Sequence, residues 1–110
     1  MKAKFRIEFL EQAVEFLESL DDKTKKKIIY NIDKASFVND PKLFKKIDDE
    51  IWEFRTKYAS KQYRMLAFWV KRKGAVSLII ATHGFVKKDS KVPRNEIKKA
   101  NDIRLLFIKE

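Results

Sequence analysis

Ile51-Trp52-Glu53-Phe54-Arg55-Thr56-Lys57-Tyr58 is followed, after the short break Ala59-Ser60-Lys61, by Gln62-Tyr63-Arg64-Met65-Leu66-Ala67-Phe68-Trp69-Val70. A basic turn, Lys71-Arg72-Lys73-Gly74, then leads into Ala75-Val76-Ser77-Leu78-Ile79-Ile80-Ala81-Thr82-His83-Gly84-Phe85-Val86-Lys87-Lys88. Three runs rich in aromatic and β-branched residues, separated by turn-length polar breaks, predict an antiparallel meander. Helices on either side need such a sheet to cover.

Side chains alternate between faces along a strand, so the register of the first hairpin decides which residues share a surface. A turn centred on Ser60-Lys61, whether of two residues or of the four from Ala59 to Gln62, sets Lys57 opposite Arg64, Arg55 opposite Leu66, Phe54 opposite Ala67 and Trp52 opposite Trp69. One face then carries Trp52, Phe54, Tyr58, Tyr63, Met65 and Trp69, and the other carries Arg55, Lys57 and Arg64. Three cations therefore gather at one end of a sheet whose opposite side is core. The third strand returns toward that end and brings His83, Lys87 and Lys88 near Arg64. The loop from Lys71 to Ala75 can close with either parity, so His83 points with Arg64 or away from it.

Before the meander, Lys4 to Phe9 alternates, with Phe5, Ile7 and Phe9 on one side, as a short edge strand would. Leu10, Ala13, Val14, Leu17 and Leu20 recur at helical spacing, with Glu11, Glu15 and Glu18 off that stripe. Asp21-Asp22 can cap a second helix whose buried stripe is Ile28, Ile32 and Ala35, while Lys23, Lys25, Lys26 and Lys27 crowd its first turn as a solvated face or as a site for an external anion. Asn39-Asp40-Pro41 stops that helix, and Lys42 to Glu50 reads as a connecting segment. After the sheet comes a polar loop from Lys87 to Val92. Pro93 suits the first turn of a closing helix with Ile97, Ala100, Ile103 and Phe107 inward. Leu105-Leu106-Phe107-Ile108 cannot all face one core, so part of it lies exposed or under a partner. The expected order is βααβββα, an α+β domain with two N-terminal helices packed on a small antiparallel sheet and a C-terminal helix.

Size and charge set further bounds. The 110 residues suffice for one domain with a single modest core. The chain has no cysteine, which excludes disulfides, thiolate metal sites and a cysteine nucleophile, and it has one histidine. Lys and Arg total 26 against 16 Asp and Glu, a net charge of +10. Such an excess favours a polyanionic partner such as nucleic acid or ribosome, with solubility as the plainer reading. No apolar run approaches the roughly twenty residues of a membrane span and no signal-peptide core is present, so a cytoplasmic protein without a membrane partner is expected.

Four pieces, Ile51-Trp52-Glu53-Phe54-Arg55, Tyr63-Arg64-Met65-Leu66, His83-Gly84-Phe85-Val86-Lys87-Lys88 and Pro93-Arg94-Asn95-Glu96-Ile97, taken in series, resemble the phage-derived branch of the RelE/HigB toxin superfamily. The similarity covers nearly the whole chain. It implies a single RelE/HigB-like toxin domain over residues 1–110, belonging to a type II toxin-antitoxin pair. The implied activity is a ribosome-dependent endoribonuclease, an mRNA interferase, that cuts messenger RNA by metal-free attack of the 2′-hydroxyl and uses no cofactor. A cognate helix-turn-helix antitoxin would hold it inactive in a hetero-oligomer.

Carried over by position, the resemblance puts Arg55, Lys57, Arg64, Lys87 and Lys88 at the RNA-cutting site, the cluster that the hairpin register gives by itself. His83 and Arg94 join Lys88 and Arg55 as expected RNA contacts. Some members of the superfamily place a Tyr in the C-terminal part of the site and others use two histidines; this chain matches neither, so the acid and base stay open.

Such chemistry needs cations against the charge that builds on the phosphoryl oxygens, and a route for protons. Arg64, with a planar fork, is the expected phosphate clamp, and Arg55, Lys87 and Lys88 share the charge. Lys57, if buried among cations, is the expected proton acceptor, with His83 as the alternative base or a structural residue at the end of a core strand. Glu53 is placed to orient Arg55, and Trp52 and Trp69 read as core. The competing readings are a non-catalytic RNA- or ribosome-binding domain and a protein-interaction module that uses the apolar C-terminal end.

Overall fold

A computed structural model of the chain describes residues 3–71, 74, 76–88 and 90–109. The expected basic turn includes Arg72 and Lys73, and the following polar loop includes Asp89; these three lie outside the described residues. The elements run β1 (Phe5–Phe9), α1 (Glu11–Glu18), α2 (Asp22–Ala35), β2 (Phe44–Lys46), β3 (Trp52–Tyr58), β4 (Lys61–Val70), β5 (Ser77–Lys87) and α3 (Arg94–Lys109). Among the described residues no helix is long and apolar enough to cross a membrane.

The α+β class stands, while the sheet corrects the expected pattern in two places. It has five strands in the order β1-β5-β4-β3-β2 and is mixed, because β1 pairs parallel with β5. A parallel partner needs a crossover, and α1, α2 and the β2–β4 meander supply it across the full width of the sheet. The added strand, β2, lies inside the segment expected to be only a connection. Phe44 stacks on Phe54 at 4.3 Å between ring centroids and on Trp52 at 4.8 Å, and this packing holds three residues in a strand that their sequence alone hardly signals.

The meander is observed with its faces as expected and its register moved by two. Ala59 and Ser60 have φ of 51° and 65°, the paired left-handed values of a two-residue hairpin turn, so the turn sits one residue upstream of the expected centre. Arg55 then pairs with Arg64, Lys57 with Gln62, Phe54 with Met65, and Trp52 with Ala67 rather than Trp69. A shift of two leaves every side chain on its face.

Helices cover both faces. Under α1 and α2 lie Phe54, Tyr63, Met65, Ala67, Ile79 and Ala81, packed with Ala13, Leu17, Ile28 and Ile32. Asp21 caps α2 by accepting the Thr24 N–H at 3.2 Å, and the expected stripe Ile28, Ile32 and Ala35 is buried. On the opposite face α3 lays Ala100 and Phe107 over Leu66, Phe68, Leu78 and Ile80. Leu105, Leu106 and Ile108 at its far end are exposed, Leu106 by 67 %.

One irregularity decides what the α3 face carries. Between β4 and β5 the pairing steps from Leu66 with His83 to Ala67 with Ala81, so Thr82 is an extra residue, a β-bulge, held by its hydroxyl donating to the Leu66 carbonyl at 3.2 Å. Before the bulge Leu78 and Ile80 face α3; after it His83, Phe85 and Lys87 do. Without the extra residue Gly84 and Val86 would take their places. Gly84 instead faces α1, where the Phe16 ring lies so close that a methyl group would overlap it.

Candidate nucleic-acid interface

At the end of the sheet where β3 and β5 finish and β4 begins, the α3 face is charged. Glu53 and Arg55 come from β3, Arg64 from β4 and Lys87 from β5, and Lys45 on β2 stands opposite Glu53. The N-terminal turn of α3 and the loop before it close the other side with Lys91 and Arg94. All of these but Arg64 line an open cleft of about 570 Å³ floored in part by Ile47 and Ile97. Among the described residues five cations thus face one space, and the single carboxylate lining it, Glu53, is already engaged.

That engagement forms the floor of the site. The Glu53 carboxylate lies 3.0 Å from Arg64 Nε and 3.6 Å from Arg55 Nε, so one acid bridges a covered guanidinium and a partly open one. Arg64 is 2 % exposed and Glu53 5 %. The 3.0 Å approach lies outside hydrogen-bonding angles, and among the described residues neither Glu53 Oε1 nor Arg64 Nε has another partner. The rest of the Arg64 fork is occupied, with Nη2 donating to Gln62 Oε1 at 2.7 Å and Nη1 to the Tyr63 carbonyl at 3.2 Å. Burial pushes the Arg64 pKa down and Glu53 opposes this, yet a guanidinium stays charged at any physiological pH. Arg64, the expected phosphate clamp, is buried and lies outside the lining of the main cleft, with both Nη atoms already donating within the protein.

Arg55 is oriented by Glu53 as expected and donates to the Pro41 carbonyl at 3.4 Å. It stands between the main cleft and a second hollow of about 210 Å³ lined with Lys42, Lys57, Gln62 and Arg64. Arg55, Lys57 and Arg64 therefore share one face and one hollow. Lys57 is exposed, so the burial that the proton-acceptor role asked of it is missing. Lys87 meets that condition better: it is half-buried, and its pKa is lowered first by desolvation and then by Arg64, with Arg55 and Lys45 adding to this and Glu53 opposing. Lys88 follows the end of β5, exposed and outside the lining of the cleft.

His83 shares the face of Arg64 but is not at the cleft surface. It is 2 % exposed, with Nε2 3.0 Å from Glu96 Oε1 and Nδ1 3.1 Å from Thr82 Oγ1. Burial lowers its pKa below the usual 6.5, more than Glu96 raises it, with Lys99 reinforcing the lowering. The neutral ring donates from Nε2 to the Glu96 carboxylate. It thereby ties the first turn of α3, and Arg94 with it, to the bulge in the sheet.

A family model described as "Phage derived protein Gp49-like (DUF891)" matches residues 15–104. The chain belongs to this Gp49-like family. The family is RelE/toxin-like. No curated protein matches the chain. In this Gp49-like domain, two cations of the cleft escaped the sequence reading. Lys45 lay in the segment read as a connection, and only its alternation beside Phe44 signalled a strand. Lys91 sits in a polar loop, where no periodicity marks direction.

Proposed function

We propose that this Gp49-like protein is the toxin of a type II toxin-antitoxin pair, a ribosome-dependent endoribonuclease that cleaves messenger RNA. The observation that supports it is the convergence of Lys45, Arg55, Lys87, Lys91 and Arg94 on one cleft, in a chain of net charge +10 from a toxin-like family. In this reading the RNA backbone lies in the cleft, with Arg94 and Lys91 holding flanking phosphates and Arg55 and Lys87 against the scissile one. The 2′-oxygen attacks the adjacent phosphorus, the bond to the 5′-oxygen breaks as that oxygen takes a proton from water, and a 2′,3′-cyclic phosphate and a 5′-hydroxyl end result. Lys87, whose ammonium gives up its proton more readily than an ordinary lysine, takes the 2′-hydroxyl proton. Glu53 and Arg64 hold Arg55 in line from beneath. A helix-turn-helix antitoxin would silence the protein by covering the cleft.

Induction of the protein followed by mapping of messenger RNA ends tests this. Wild type is expected to generate new 5′-hydroxyl ends, and an Arg55→Ala/Lys87→Ala double variant none; cutting by that variant at the wild-type level would sink the assignment. A second reading, RNA binding without cleavage, is favoured by the burial of Arg64, since the best-shaped phosphate ligand is withheld from the cleft. It predicts translation arrest with intact messages.

A further inference from the structure

The edge strand β2 links two different surfaces. Lys45 faces the α3 side and lines the basic cleft, whereas Lys46, one residue on, faces the other side. There it borders a separate open hollow of about 490 Å³ with Asp49, Glu50, Trp52, Trp69 and Lys71. The two indoles sit on one face of the sheet, ring centroids 5.9 Å apart and planes at 77°. They are braced from within, Trp52 stacked on Phe44 at 4.8 Å and Trp69 set edge-on to Phe5 at 5.5 Å. Expected to be core, both are only half-buried.

We propose that this hollow is a stacking subsite for an unpaired base of single-stranded RNA, whose backbone passes round the β2 edge from the basic cleft. The proposal rests on the RNA reading of the cleft and adds a second point of contact to it. Rings fixed by their neighbours stack a base without first losing freedom of their own, and every base has a face to offer. Lys46 and Lys71 stand at the rim, where the flanking phosphates would run. Asp49 and Glu50 keep a phosphate out of the hollow itself while accepting from the amino groups of a base, and Glu50 is partly neutralised by Arg104 at 3.6 Å. The continuity through Lys45 and Lys46, with the excess of positive charge, favours a nucleic acid over a basic peptide as the occupant.

The chain has two tryptophans and both line this hollow, so tryptophan emission excited selectively over tyrosine reports on the site alone. Single-stranded hexaadenylate is titrated against the whole protein by tryptophan fluorescence and, with an end label, by anisotropy. Saturable quenching that inorganic polyphosphate does not reproduce is expected. Trp52→Leu is expected to weaken hexaadenylate about ten-fold. Because Trp52 also packs on Phe44, Lys46→Glu/Lys71→Glu, at two exposed positions, is the companion variant, with a loss of about ten-fold at low salt and an unchanged unfolding transition. Hexaadenylate that binds by anisotropy with no fluorescence change, and equally in the charge-reversed variant, overturns the subsite and leaves the cleft reading standing. Absence of any binding removes both. Quenching by an arginine-rich peptide in place of the RNA overturns the proposal and assigns the indoles to a cationic partner.

Discussion

Glu53 and Arg64 meet at 3.0 Å across neighbouring strands, both nearly sealed from water, at the base of a cleft whose other charges among the described residues are all positive. Removing Glu53 leaves Arg64 as a buried charge without its counter-ion, and removing Arg64 leaves Glu53 with only the looser Arg55 contact at 3.6 Å. Glu53→Ala and Arg64→Ala should each lower unfolding stability by about 3–5 kcal/mol, measured by denaturant titration, and the apolar pair Glu53→Leu/Arg64→Met should recover most of it. A loss under about 1 kcal/mol in the single variants would mean that the pair carries little. Loss of activity in Arg64→Ala is therefore to be read only beside its stability.

RNA binding should depend on the open cations, not the covered one. Substituting Arg55, Lys87, Lys91 or Arg94 by Ala should reduce the slope of log affinity against log salt by roughly 0.7 for each phosphate no longer neutralised. Lys88→Ala, outside the cleft, should leave that slope unchanged. Equal effects at all five positions would indicate diffuse attraction instead of a defined cleft.

His83 gives stability a pH dependence. Its folded-state pKa lies below 6.5, the unfolded value, because burial disfavours the charged ring. As pH falls through about 6.5 the unfolded chain takes up the proton first, so stability held above that pH is lost down to the folded-state pKa and then levels. The stability difference between wild type and His83→Gln, followed from pH 8 to 5 by chemical denaturation, should show this slope. A difference that stays flat across the range would mean that folding leaves the ring's pKa unchanged, and one that grows in favour of wild type as pH falls would mean that Glu96 raises it.

Gly84 admits the Phe16 ring against β5. Gly84→Ala should cost roughly 1–3 kcal/mol through overpacking, and Phe16→Leu in the same chain should return part of it. Thermal melts of the two variants settle this; an unaffected Gly84→Ala protein would mean that the ring swings aside freely.

The fold and the site were legible in the sequence to different depths. Alternation in Ile51–Tyr58 and Gln62–Val70 put Arg55, Lys57 and Arg64 on one surface, and this survived a turn at Ala59-Ser60 in place of Ser60-Lys61, because a register error of two is invisible to a pattern of period two. Phe44–Lys46 was missed because three residues carry too little pattern, and their strand is held by aromatic stacking on residues far along the chain. The parallel pairing of β1 was missed for a related reason. Which strand an edge segment joins depends on where the crossover returns it.

Composition and periodicity by themselves determined the helices, the meander and the cation-bearing face, since these follow from local side-chain direction. Only the tertiary structure decided that Thr82 bulges and turns His83, Phe85 and Lys87 toward Arg64, that Arg64 is sealed by Glu53 while Lys87 stays partly open, and that Lys45, Lys91 and Arg94 complete the cleft. Parity after a bulge and the depth of a charge beneath a helix depend on how separate elements close on one another, which spacing along one strand does not encode.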